Sequence, residues 1–143
     1  MIGKKEFGDS PSESLKYFDF RKEKTIGQDI DEVKKIDKVS GGYDHIWVFG
    51  ENNKTNDITL KNSATDIQLK VTSDADAVIM YANCYPKENI EFNPSGVDTL
   101  NAGITIEPIK FFTRDKVGET LNINPSKEFT RNITYTFSDI STK

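Results

Sequence analysis

Three short stretches of this sequence hold side chains whose types and spacing could do chemistry. In GGYDHIWVF (41–49) an aspartate and the chain's single histidine stand at the start of an aromatic and β-branched run. A carboxylate accepts hydrogen bonds, and an imidazole can donate, accept or carry a proton near neutral pH. In an extended backbone adjacent side chains face opposite ways, so Asp44 and His45 cannot both face one pocket. From pattern alone, Asp44 is either a ligand-facing carboxylate or the cap of the preceding turn, with His45 a partly buried polar residue.

In GITIEPIKF (103–111) Glu107 follows residues of strong strand character and precedes Pro108. A proline there ends ladder pairing and puts the carboxylate at a strand end, where loops and ligands meet. Desolvation beside apolar residues raises a carboxyl pKa, which suits a general base working near neutral pH. The alternative is a solvated glutamate at a sheet edge. The third stretch, YANCYPKENIEFN (81–93), carries Tyr81, Tyr85 and Phe92, whose rings either stack on a sugar or fill a core. One cysteine and one histidine fall short of a four-ligand metal cluster, so no metal is expected and Cys84 reads as a small buried hydrophobe. Asn53 and Asn132 begin the sequons NKT and NIT, which matter only in a secreted protein.

These residues need a β framework, and the sequence supplies one. After Gly42 it becomes runs of β-branched and aromatic residues separated by Asn, Asp, Gly and Pro. Strands are predicted over 45–49, 57–62, 67–74, 77–83, 103–108, 119–125 and 128–138. In IQLKVTS the residues Ile67, Leu69 and Val71 point one way and Gln68, Lys70 and Thr72 the other, while VIMY (78–81) reads as buried on both faces. Turns are expected at 51–57, 73–76 and 93–96, and none resembles a phosphate-cradling glycine loop. Ahead of this body LKYFDF (15–20) reads as a short strand. Ile26, Ile30, Val33 and Ile36 are spaced for a helix around 29–38, which Ser40, Gly41 and Gly42 close. The expectation is all-β: an antiparallel β-sandwich forming one domain over 1–143, with one short helix near the N-terminus and a flexible lead-in at 1–14.

The 143 residues suffice for one real core, with roughly 70% of the unfolded surface buried. The net charge is −4 with both signs interleaved, so no basic face for nucleic acid is expected. No stretch approaches the roughly 20 apolar residues of a membrane span, and the N-terminus lacks the apolar core of a signal peptide. These features predict a soluble, cytoplasmic protein without nucleic-acid or membrane partners.

Taken in order, KYFDFRKEKTIGQDI (16–30), GGYDHIWVF, AVIMYANCYP, GITIEP and the closing LNINPSKEFTRNITYTF resemble the C-terminal half of the aldose 1-epimerase, or galactose mutarotase, family. The likeness spans residues 15–137. It implies a large antiparallel supersandwich and interconversion of the α and β anomers of free aldoses such as galactose and glucose, with no cofactor. A glutamate base deprotonates the anomeric hydroxyl, a histidine acid protonates the ring oxygen, and the opened sugar rotates about C1–C2 and recloses. By this resemblance Glu107 is the catalytic base and Asp44 the substrate-binding aspartate. His45 matches the histidine of the YDH element, not the acid.

The departures from that pattern are specific. Family members are longer, and the two histidines that supply the acid and a substrate contact belong to the N-terminal half. Ile109 stands where the family often has glutamine, so substrate contacts in EPIKFF are altered. A weak or inactive mutarotase part is therefore expected, associating as a homodimer or with an N-terminal half, because half a supersandwich exposes edges and apolar surface. The alternatives are a non-catalytic carbohydrate-binding module with the same sandwich and a plain adhesion or structural β domain.

Overall fold

The computed structural model describes residues 12–50, 55–85, 100–110, 126, 128 and 130–141. The expected strand at 119–125, the turn at 93–96, Phe92, Asn53, and most of the lead-in and of the 51–57 turn lie outside these residues. The class is all-β: two three-stranded antiparallel sheets, one short α-helix and two 3₁₀-helices, the strand content of a sandwich-like chain. The chain divides into two compact units. One combines the residues up to Phe49 with Ala77–Glu107, and the other combines Gly50–Asp76 with the residues from Pro108 onward.

The first unit holds β1 (Asp44–Val48), β4 (Ala77–Tyr81) and β5 (Thr105–Ile109) in the order β1-β4-β5, the end of β5 passing into the second unit. β1 and β4 are antiparallel, with Asp44 opposite Tyr81 and Val48 opposite Ala77. Period-two alternation is sharp along β1: Tyr43, His45, Trp47 and Phe49 are buried, while Asp44 and Ile46 are exposed. VIMY departs from the expected burial on both faces: Val78 and Met80 are buried, whereas Ile79 and Tyr81 on the other face are half-buried.

α1 (Ile30–Ile36) packs on the two 3₁₀-helices, Ser12–Phe18 and Ile26–Gln28, and presents the fully buried Val33. The helix stops at Ile36, two residues inside its expected end. The residue with positive φ is Gly41, at +65°, and it closes the following turn rather than the helix. LKYFDF is not a strand, because Ser12–Phe18 form a 3₁₀-helix. Its carbonyls are taken by side chains instead of a ladder: Tyr43 Oη donates to Tyr17 O (2.9 Å), Trp47 Nε1 to Phe18 O (2.7 Å), and Lys24 Nζ to Lys16 O and Tyr17 O. The same ammonium pairs with Asp29 at 2.7 Å and lies over the Phe20 ring.

The second unit holds β2 (Asn56–Asn62), β3 (Ile67–Ser73) and β6 (Ile133–Asp139) in the order β2-β3-β6. Its register puts Ile58 and Tyr135 on either side of Val71, and Leu60 and Phe137 on either side of Leu69, so one face is apolar. Asp57, Lys70, Thr72 and Thr134 occupy the other. A staple fixes one end: Asp74 accepts hydrogen bonds from the backbone and side-chain amides of Asn132 and pairs with Arg131.

Candidate functional site

The β1–β4 register builds a corner of exposed polar and aromatic groups around Asp44. Ala82 N donates to Tyr43 O at 2.9 Å, so the flanking Asp44–Tyr81 pair is the closely spaced, non-hydrogen-bonded kind. Four residues on, the Tyr85 ring stacks beside Tyr81 with centroids 6.1 Å apart and planes 15° apart. Tyr85 N donates to the Tyr81 hydroxyl at 3.2 Å. Partial burial first, then the Asp44 and Asp37 carboxylates, push the Tyr85 phenol above its ordinary pKa. With Tyr85 49% exposed, an aromatic surface and a carboxylate are open to solvent together.

Backbone turns brace this corner. Asn83 and Asn101 both take positive φ, +42° and +62°, a region asparagine tolerates better than most residues. Asn101 N donates to Asn83 O at 3.0 Å and its Nδ2 to Ala82 O at 2.7 Å. Cys84 is buried, and its thiol donates to Tyr43 O at 3.3 Å. A Cβ at Gly42 would come within 2.7 Å of that sulfur, so glycine there permits the approach.

Asp44 and His45 face opposite ways, as their adjacency in a strand requires. His45 is buried against Phe18, with ring centroids 4.8 Å apart. Its Nδ1 accepts from Asp44 N at 2.9 Å, and its Nε2 lies 3.2 Å from Asp37 Oδ2. Burial lowers the His45 pKa against the opposing pull of Asp37 and Asp44, so the ring is neutral at pH 7. Burial pushes Asp37 upward, but the hydrogen bonds from Ser40 and Val39 outweigh it and hold the carboxyl low.

Neither comparison with family models and curated proteins nor that with solved structures gives a match. The assignment of a site therefore rests on geometry.

Glu107 is not at a strand end. β5 continues through Pro108 to Ile109, and among the described residues β5 is the outer strand of its sheet, a position that tolerates proline. The carboxylate is exposed and accepts from Thr105 Oγ1 at 3.1 Å, so the apolar setting expected around it is missing. Glu107 belongs to β5 and Asp44 to β1, strands separated by β4 in the sheet order.

Asn83, Asn101 and the meeting of Tyr81 with Tyr85 are what the sequence left unassigned. The available signal was asparagine at two turn positions flanking aromatic strands. Among the described residues, no group of three or more His, Cys, Asp or Glu could hold a metal ion, and no helix is long and apolar enough to cross a membrane.

Proposed function

We propose that this chain is the sugar-recognising part of an aldose 1-epimerase-like isomerase, acting on the anomers of free hexoses such as galactose or glucose. The observation that carries the reading is the exposed Asp44 carboxylate beside the stacked Tyr81 and Tyr85 rings. A pyranose offers an apolar C–H face to an aromatic ring and adjacent hydroxyls to a carboxylate. In this reading Asp44 holds the hydroxyls and Glu107 takes the anomeric proton as general base. His45 is no donor to the ring oxygen, because it is buried and both of its nitrogens are engaged. The reading carries with it a cytoplasmic location and association with a second copy or an N-terminal half.

A second reading, carbohydrate binding without turnover, draws support from the exposed setting of Glu107, whose carboxylate is engaged by Thr105 Oγ1. One experiment addresses both. Galactose and glucose are titrated into the 15N-labelled chain, and anomer exchange of freshly dissolved α-galactose is followed by NMR. Saturable shifts at Asp44, Tyr81 and Tyr85, lost in D44N and Y85A, are expected for both readings. Exchange above the buffer rate that E107Q abolishes selects the isomerase, and binding without exchange selects the module. Absence of any binding overturns both.

A further inference from the structure

The Asp44 backbone has an unusual partner. β1 is the outer strand of its sheet, and because the Asp44–Tyr81 pair is non-hydrogen-bonded, the Asp44 N–H points away from β4. No ladder partner stands there among the described residues. The acceptor is instead Nδ1 of the neighbouring imidazole, at 2.9 Å. An Nδ1 that accepts must be unprotonated, so the ring proton sits on Nε2, where Asp37 Oδ2 receives it at 3.2 Å. Asp37 is itself fixed at the end of α1: its backbone N–H donates to Val33 O, and its Oδ1 accepts from Val39 N and Ser40 N, each at 3.0 Å. A continuous hydrogen-bonded path thus runs from the end of α1 through Asp37 and His45 to the Asp44 backbone.

We propose that His45 is the positioning residue of the Asp44 corner, its neutral Nε2–H form holding the Asp44 backbone so that protonation at Nδ1 releases Asp44 and weakens sugar binding. This rests on the sugar reading given above. The second proton turns Nδ1 from acceptor to donor, and two N–H groups then oppose each other at the start of β1. The charged groups acting on His45 are Asp37 and Asp44, both of which favour the protonated ring, whereas burial opposes it. Among the described residues its uncharged neighbours include Phe18 from the 3₁₀-helix, Trp47 from its own strand and Met80 opposite it in the register. Because burial outweighs the two carboxylates, release requires a pH below the ordinary histidine value of about 6.5.

The full chain, labelled with 15N, provides the test. At pH 7.5, ring correlations are expected to report the Nε2–H tautomer, and the Asp44 amide is expected to be protected from exchange. As pH is lowered from 7.5 and the ring takes its second proton, the Asp44 protection factor and the galactose affinity should fall together by about tenfold, the scale of one lost hydrogen bond. Asparagine at 45 presents an acceptor near the Nδ1 position and does not titrate, so H45N should keep its affinity flat as pH falls. H45Q, whose amide reaches toward Asp37 instead, should bind about five- to tenfold more weakly throughout. A Nδ1–H tautomer, an unprotected Asp44 amide at pH 7.5, or an H45Q profile identical to the native one overturns the proposal. If the native chain binds no galactose, the sugar reading fails, while tautomer and amide protection still decide the His45–Asp44 link.

Discussion

The two sheets are built by the same antiparallel rule and differ in what stands behind them. Behind β1 an aromatic cluster of Phe18, Phe20, Tyr43 and Trp47 is assembled with its polar ends satisfied by backbone carbonyls. In the β2-β3-β6 sheet only Val71 and Ser73 of β3 and Asn56 of β2 are buried, and every residue of β6 is exposed. The candidate site lies on the first sheet. An exposed carboxylate and ring pair keep fixed positions only where the strands carrying them are anchored from the other side.

The largest effect that would sharpen this contrast comes from the cluster itself. Trp47 is 4% exposed and Phe137 is 70% exposed. W47A should cost about 3–5 kcal/mol of unfolding free energy in urea, by cavity formation and by leaving the Phe18 carbonyl without its donor. F137A should cost at most about 1 kcal/mol, the scale of its cross-strand contact with Leu69. Equal losses would erase the distinction between the sheets.

A smaller effect is expected at the turn into β1. Alanine at Gly42 sets a methyl group against the Cys84 sulfur and should cost about 1–3 kcal/mol by overpacking. Removing the sulfur in a G42A/C84A double variant should recover part of that loss, and strictly additive costs would show that the contact is not the cause.

The smallest effect separates the sheets by pH. The folded-state pKa of His45 is lowered by burial, so the unfolded chain takes up the proton first as pH falls. The stability that neutral His45 contributes is complete above about 6.5 and is lost as pH drops through the folded value. In the second unit the lowered groups are carboxylates: Asp57, held by Lys70 and Thr72; Asp74, held chiefly by Asn132; and Asp139, held by Ser141. Their contribution is complete above about 3.9 and is lost only below it. Amide protection in β1 should therefore begin to decline as pH falls below about 6.5, while that of β3 holds until below about 3.9. Parallel decline in both sheets would break the comparison.

Much of this framework was legible in the sequence. The predicted strands over 57–62, 67–74 and 77–83 match β2, β3 and β4 to within one or two residues, because alternation and Asn, Asp and Gly turns are local signals. LKYFDF misled because its carbonyls are claimed by Tyr43 and Trp47, 26 and 29 residues away, which no local pattern encodes. Glu107 misled differently: Pro108 suggested a strand end, but an outer strand can carry a proline without stopping.

By itself the sequence determined the all-β class, the short helix and the opposite facing of Asp44 and His45, since each follows from a periodicity of two or near 3.6 within one segment. The tertiary structure alone decided that Tyr85 stacks on Tyr81 beside Asp44, that His45 Nδ1 accepts from the Asp44 backbone, and that Glu107 lies exposed within a strand rather than at its end. Those outcomes depend on register between strands and on chain reversals at Asn83 and Asn101, where a shift of one residue would exchange the faces of an entire strand.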